Sequence, residues 1–209
     1  MLNCALVSQS HYFSSQSWLS DAQLAQSSPL LIQARGQRLQ FFTGDGVFSK
    51  SGLDAGSLLL IETLSMAPDA IFCDLGCGWG AVSAFIAKEF PNIRIYASDV
   101  NPRAVQLARR NLRLNQLEGA LWCGDGLSAA KSDFFDVIAC NPPIRAGNAV
   151  IEKLFEDAHR GLKIGGALWV VVRTAQGAKS WQTKLAARFG RCDLMAMKSG
   201  YRVLKAVRS

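Results

Sequence analysis

Ala70-Ile71-Phe72-Cys73-Asp74-Leu75-Gly76-Cys77-Gly78-Trp79-Gly80-Ala81 is the stretch that decides the architecture of this chain. The apolar run 70–73 reads as a strand, and the three glycines from Gly76 to Gly80 stop it. Apolar residues at helical spacing then fill 81–90. Strand, glycine-rich turn and helix open a βαβ unit, in which the returning strand pairs parallel to the first.

The same alternation continues downstream. Strands are expected at 70–75, 93–98, 120–123, 135–140 and 166–173, with helices at 81–90, 102–115, 149–161 and 178–189. Pro102 suits the first turn of its helix behind an Asn101 cap. Segments 194–197 and 201–207 read as an antiparallel pair around Ser199-Gly200, and Gly161 and Gly165-Gly166 read as helix-stop and turn residues. Strands alternating with helices specify an α/β doubly wound, mostly parallel sheet with helices on both faces. Upstream, 38–43 reads as a strand, Gly44-Asp45-Gly46 as a tight turn and 53–64 as a helix. Residues 1–34 contain one charged residue, Asp21, and are rich in Ser and Gln. They are expected to form an N-terminal appendage to a domain over 35–209. Tyr12, Phe13, Trp18 and Leu19 would either dock it or help form a substrate wall.

Glycines at a strand-to-helix turn let a ligand lie against bare backbone. Gly76, Gly78 and Ala81 also satisfy the dinucleotide fingerprint, so the glycines alone do not choose a cofactor. Asp99, at the end of the second strand, is placed to accept ribose hydroxyls, which also fits either cofactor. Asp74 discriminates, because an extra anion repels a pyrophosphate but suits a cationic sulfonium ligand bearing an ammonium group. Asp125, in Gly124-Asp125-Gly126, is placed for an adenine amine. Asp74 and Asp125 also have a plain reading as turn caps. All these loops leave the carboxyl ends of the strands, where open α/β sheets bind ligands, and S-adenosylmethionine is the expected cofactor. The expected cofactor-binding set is Asp74, Gly76, Cys77, Gly78, Gly80, Asp99, Val100, Asn101, Asp125, Gly126 and Asn141.

Asn141-Pro142-Pro143-Ile144 follows the fourth strand. The lone pair of a base amine or a carboxamide is delocalised, and such a nitrogen attacks poorly unless its two hydrogens are held by acceptors. The Asn141 side-chain oxygen and the Pro142 carbonyl would supply those acceptors. Proline fixes its own φ and pushes its predecessor out of the α region, so both acceptors are preorganised. Asn141 and Pro142 are the expected catalytic residues. A simple turn after a strand is the competing reading.

The 209 residues suffice for one domain of this size, and 49% hydrophobic with 19% charged residues is ordinary for a globule. No apolar run reaches the ~20 residues of a membrane span. No basic residue precedes Arg35, so neither a secretory signal nor a transit peptide is expected, and the cytoplasm is the expected compartment. Six scattered cysteines and two histidines, without a Cys-x-x-Cys pair, argue against a metal site. The net charge of +7 is concentrated at one end: residues 160–209 hold eleven Lys or Arg against the single acid Asp193. That quarter is a candidate polyanion surface, with solvated amphipathic faces as the alternative.

Taken in order, these residues resemble the small-domain methyltransferase family typified by ribosomal RNA small subunit methyltransferase C. The resemblance spans 35–207 and rests on Gly46-Val47-Phe48-Ser49, Leu53-Asp54-x-Gly56-Ser57, the stretch from Asp74 to Gly80, Asp99-Val100-Asn101, Asn141 to Gly147 and Gly165-Gly166. It implies a seven-stranded sheet whose last strand is antiparallel, with cofactor contacts at Gly76, Gly78, Asp99, Val100 and Asp125. It also implies that Asn141 and Pro142 grip the target amine and that the Val47-Phe48 loop approaches the cofactor. Pro143, Ile144, Arg145 and Phe48 are the expected substrate contacts. The expected reaction is methylation of a guanine N2 amine in small-subunit ribosomal RNA, with that RNA or the small subunit as partner and no metal or membrane. A glutamine amide or an adenine N6 amine is an alternative acceptor. A non-catalytic RNA-binding assembly factor is the alternative of another class.

Overall fold

The computed structural model describes residues 28–44, 52–143 and 146–209. Its strands are β1 (Leu30–Ala34), β2 (Gln37–Phe41), β3 (Ile71–Leu75), β4 (Arg94–Asp99), β5 (Ala120–Cys123), β6 (Phe135–Cys140), β7 (Leu162–Arg173), β8 (Gly190–Lys198) and β9 (Tyr201–Arg208). The helices are α1 (Ala55–Thr63), α2 (Ala81–Glu89), α3 (Pro102–Leu114), α4 (Asn148–Gly161) and α5 (Ala178–Phe189). Strands β3 to β9 form one seven-stranded sheet in the order β5-β4-β3-β6-β7-β9-β8, and β9 runs antiparallel to both its neighbours. The sheet is doubly wound and mostly parallel, and its last strand, β9, is the reversed one. Among the described residues no helix is long and apolar enough to cross a membrane.

Two apolar layers explain why the central strands read as continuous apolar runs. Val137, Ala139, Trp169 and Val171 pack on one face, beneath α1, α2 and α3. Ile138, Cys140, Leu168 and Val170 alternate onto the other, beneath α4 and α5. Cys73 and Cys140 are free thiols filling apolar positions.

Strand β7 starts earlier than its expected bound of 166. The pairing of β6 with β7 shifts register between Phe135 and Val137, so the chain passes Gly165, at φ 78°, without leaving the sheet. At the other end of the chain, β1 pairs antiparallel with β2 around Arg35-Gly36, so the expected boundary after residue 34 falls inside a hairpin. Arg35 takes φ 51°, rare for a residue with a side chain, and Gly36 takes φ 70°. The Arg35 guanidinium donates to the Ile61 and Leu64 carbonyls at 2.7 and 2.8 Å, which holds the turn and satisfies carbonyls left free at the end of α1.

Asn111 on α3 and Asn115, the residue that caps its end, complete the hairpin's outer edge. Asn115 exchanges both amide bonds with the Gln40 backbone, accepting at 3.0 Å and donating at 2.7 Å. Asn111 does the same with Phe42, at 2.7 and 2.9 Å. The side-chain amides thus take the place of a neighbouring strand. The expected tight turn at Gly44-Asp45-Gly46 and the aromatic residues expected to act in the appendage, Tyr12, Phe13 and Trp18, with Leu19, lie outside or partly outside the described residues.

Candidate active site

Sheet register brings the expected site together at one edge. Leu75 on β3 is level with Ser98 on β4 and Cys140 on β6, and Asp99 is level with Cys123 on β5. The glycine loop, Asp99, Asp125 and Asn141 therefore leave four neighbouring strands at one height, with adjacent strands about 4.8 Å apart. The connections run in opposite directions from β3 and β6, and such a switch point opens a crevice.

The glycine loop offers backbone surface rather than free donors. Gly76 and Cys77 both donate to the Ser98 carbonyl, at 2.9 and 3.0 Å, and Gly80 donates to Cys77 at 2.9 Å. Gly78 donates to Asp99 Oδ2 at 2.9 Å. With those N–H groups already bonded, the loop is poorly equipped to cradle a pyrophosphate. Gly76 and Gly78 adopt φ 77° and 54°, and a Cβ on either would point into open space, where a flat ligand can lie on the chain. Gly80 is glycine for a different reason: a Cβ there would come within 2.9 Å of Ala108 on α3. The Cys77 side chain is buried below the loop.

Asp74 is buried at the base of the loop. Its Oδ2 accepts from the Ser83 N–H at 3.0 Å and hydroxyl at 2.6 Å, while Oδ1 has no partner among the described residues. Burial raises its pKa to about 6, against the lowering effect of the Ser83 bonds. A cationic ligand group beside Oδ1 would relieve that desolvation. Asp99 accepts from Gly78 through one oxygen and from Asn101 N–H, at 2.8 Å, through the other, and burial raises its pKa too. Lone pairs on both oxygens remain for ribose hydroxyls. Val100, beside it, is an exposed apolar side chain suited to the face of a purine. These residues fit S-adenosylmethionine.

The other expected cofactor residues are engaged in the fold. Asn101 Oδ1 caps α3 by accepting from Arg103 N–H at 3.0 Å. Asp125 is exposed and ion-paired with Lys153 on α4. Gly126 packs where a side chain would strike Asp157, whose Oδ2 accepts from Leu127 N–H at 3.1 Å.

Asn141 is half-buried, and its amide nitrogen donates to Ser57 Oγ at 2.9 Å. The same nitrogen lies 3.5 Å from Asp54 Oδ2. A carboxylate only accepts, so Asp54 requires the NH2 end of the amide to face it. Asn141 Oδ1 is thereby turned the other way, and it has no partner among the described residues. Asp54 also caps α1, its Oδ1 accepting from Gly56 and Ser57 N–H at 2.9 and 3.1 Å. One carboxylate thus ties the start of α1 to the Asn141 amide. The Pro143 carbonyl accepts from Ala146 N–H at 2.8 Å, whereas the Pro142 carbonyl has no backbone partner among the described residues. Phe48, Ile144 and Arg145 lie outside the described residues.

Asp54 and Ser57 have no role at this site that is legible in the sequence. Their spacing carries a helix-cap signal, but nothing in it names a partner 84 residues away. Asn111, inside a helix, carries no sequence signal of its role. Fully buried, it donates to the Trp79 carbonyl at 2.8 Å as well as bonding Phe42, and so fixes the glycine loop to the hairpin.

The profile of the methyltransferase small domain matches residues 38–205. The Bacillus subtilis protein YbxB is 35% identical over 178 residues, covering 84% of this chain and 89% of its own. Ribosomal RNA small subunit methyltransferase C of Pseudomonas entomophila is 33% identical over 174 residues, 81% of this chain and 51% of the relative, so the chain spans about half that relative's length. The T. thermophilus 16S rRNA N2 methyltransferase, solved with AdoMet and guanosine, superposes with a TM-score of 0.78 over 87% of this chain and 50% of its own. At 24% identity that likeness is one of fold.

Proposed function

The chain belongs to the methyltransferase small-domain family, its cofactor is S-adenosylmethionine, and we propose that it methylates the exocyclic N2 amine of a guanine in small-subunit ribosomal RNA. The observation that carries the reading is the imposed orientation of the Asn141 amide beside a Pro142 carbonyl that has no backbone partner among the described residues.

When bound, the cofactor supplies a methyl group already activated on a sulfonium. The residues of this chain supply position and polarity. Asp99 and Val100 would hold the adenosine, Gly76 and Gly78 would leave room for it to lie on the backbone, and Asp74 would face the ammonium group. Asn141 Oδ1 and the Pro142 carbonyl would each accept one hydrogen of the target amine. They place its lone pair and favour the positive charge that develops on nitrogen. Ser57 and Asp54 keep the Asn141 oxygen aimed, so no reorientation is needed during the reaction. Pro143, Ile144, Arg145 and Phe48 complete the proposed substrate contacts, and the appendage proposed over residues 1–34 would join the catalytic unit through β1, its last 5 residues.

The test offers tritiated S-adenosylmethionine with four acceptors: unmethylated small subunits, large subunits, protein-free rRNA and a peptide-release factor. Label on guanine N2 of small-subunit rRNA supports the proposal. Label only in protein, or on adenine, refutes it.

A further inference from the structure

The basic surplus of the C-terminal quarter is distributed by sheet edge. At the amino edge its cations are neutralised: Lys163 pairs with Asp136 at 2.7 Å, Arg191 with Asp193 at 2.7 Å, and Arg208 with Asp133. On the helices, Lys184 pairs with Glu152 and Arg160 with Asp157. The carboxyl edge, which carries Asn141 and the glycine loop, is different.

Arg173 ends β7, Tyr201 begins β9 and Lys198 ends β8, and the three are direct cross-strand partners. Directly paired residues project from the same face of a sheet, so they form one row. Tyr201 identifies the face, since its ring lies against Gly56, where a Cβ would come within 2.8 Å of the ring. Gly56 sits between Asp54 and Ser57, the two residues holding Asn141. The row therefore starts next to the proposed amine grip and runs outward along the sheet edge.

Both cations are exposed, and neither has an acidic partner among the described residues. Arg173 Nε donates to Tyr201 Oη at 2.9 Å, which orients the guanidinium without neutralising it. An oriented guanidinium and an ammonium at either side of an aromatic ring suit a phosphodiester: the Arg fork matches phosphate oxygens and Lys acts as a point charge.

Building on the RNA reading above, we infer that Arg173 and Lys198, flanking Tyr201, form a docking site for backbone phosphates next to the target nucleotide. Contacts of this kind set register without reading sequence. The site would determine how the strand enters and leave base choice to the amine grip.

Two double variants that remove equal charge provide the test. Binding of unmethylated, protein-free small-subunit rRNA is measured by filter retention from 0.05 to 0.3 M salt for Arg173→Ala/Lys198→Ala and for Lys184→Ala/Arg191→Ala. The first should weaken binding roughly ten- to thirty-fold near 0.15 M salt and lower the salt slope by about 1.4, as expected for two lost contacts to a single strand. The second should change affinity less than three-fold. Cofactor affinity should match the unmodified protein in both, and kcat at saturating RNA should be unchanged in Lys184→Ala/Arg191→Ala. Equal losses in the two variants would show that only total charge matters and would overturn the docking site, while RNA methylation by the unmodified protein would leave the proposed reaction standing. Label transferred only to protein would overturn the reaction and, with it, an RNA dock.

Discussion

Replacing Ser57 with alanine tests the reasoning about Asn141 most directly, because it leaves every group that would touch substrate in place. The hydroxyl accepts from Asn141 Nδ2 at 2.9 Å, and Asp54 Oδ2, at 3.5 Å, is the weaker second acceptor. A net hydrogen bond is worth about 1 kcal/mol, and a buried donor left unpaired costs about 1–3 kcal/mol. Asp54 still disfavours the flipped amide, since flipping would bring Oδ1 against a carboxylate, so part of the bias survives. Losing about 1.4 kcal/mol of orientation should slow methyl transfer about ten-fold. The assay is single-turnover transfer from tritiated S-adenosylmethionine to unmethylated small subunits, which separates transfer from product release. Cofactor affinity, RNA affinity and melting temperature are measured in parallel. The expected pattern is a slower transfer step with both affinities within about two-fold, as required of a group acting only on the amine's acceptor. Ser57→Thr, which restores a hydroxyl, should recover most of the rate. A normal rate in Ser57→Ala would refute the orienting role, and a rate loss matched by weaker cofactor binding would show that the serine acts through folding.

Three further outcomes follow from the same geometry. Asn141→Ala should reduce transfer about 100- to 1000-fold, the scale for removing one preorganised polar group, with calorimetric cofactor affinity little changed. Asp74 has a folded pKa of about 6, above the ordinary carboxylate value, so its stabilising contribution is present at low pH and is lost as pH rises through about 6. Asp74→Asn should accordingly raise the melting temperature of the ligand-free protein at pH 8 while weakening cofactor binding. In the unmodified protein, calorimetric cofactor affinity should increase from pH 5 to 7, and a pH-independent affinity would contradict the role given to this carboxylate. Asn111→Leu removes the partners of the Phe42 N–H and carbonyl and the Trp79 carbonyl, which should cost about 3 kcal/mol or more. For a domain of this size that is a fall of about 6–12 °C in melting temperature.

The sequence alone determined the alternation of strands and helices and the position of the chemistry along it, because both depend on local properties. Runs such as 135–140 pack on both faces of a sheet and so read as apolar throughout. Gly76 and Gly78 stand where the backbone takes positive φ, Asp99 ends a strand, and the prolines after Asn141 constrain the backbone whatever lies nearby. The hairpin strand Leu30–Ala34 was not legible, since its turn uses Arg35 at positive φ. Bonds to Ile61 and Leu64, distant in sequence, hold that conformation.

Only the tertiary structure decided which way the Asn141 amide points, because Asp54 and Ser57 reach it from a separate helix. It also drew Asp125 to Lys153 and gave Asp74 a serine partner, and each of these pairings depends on distance through space. The charge pattern is the clearest case. Composition showed an excess of cations after residue 160, but the reversal of β9 carries Arg208 to the amino edge, where Asp133 neutralises it, and sets Tyr201 between Arg173 and Lys198 at the carboxyl edge. Charge adds along a sequence, whereas its neutralisation depends on which residues the strand order and register make neighbours.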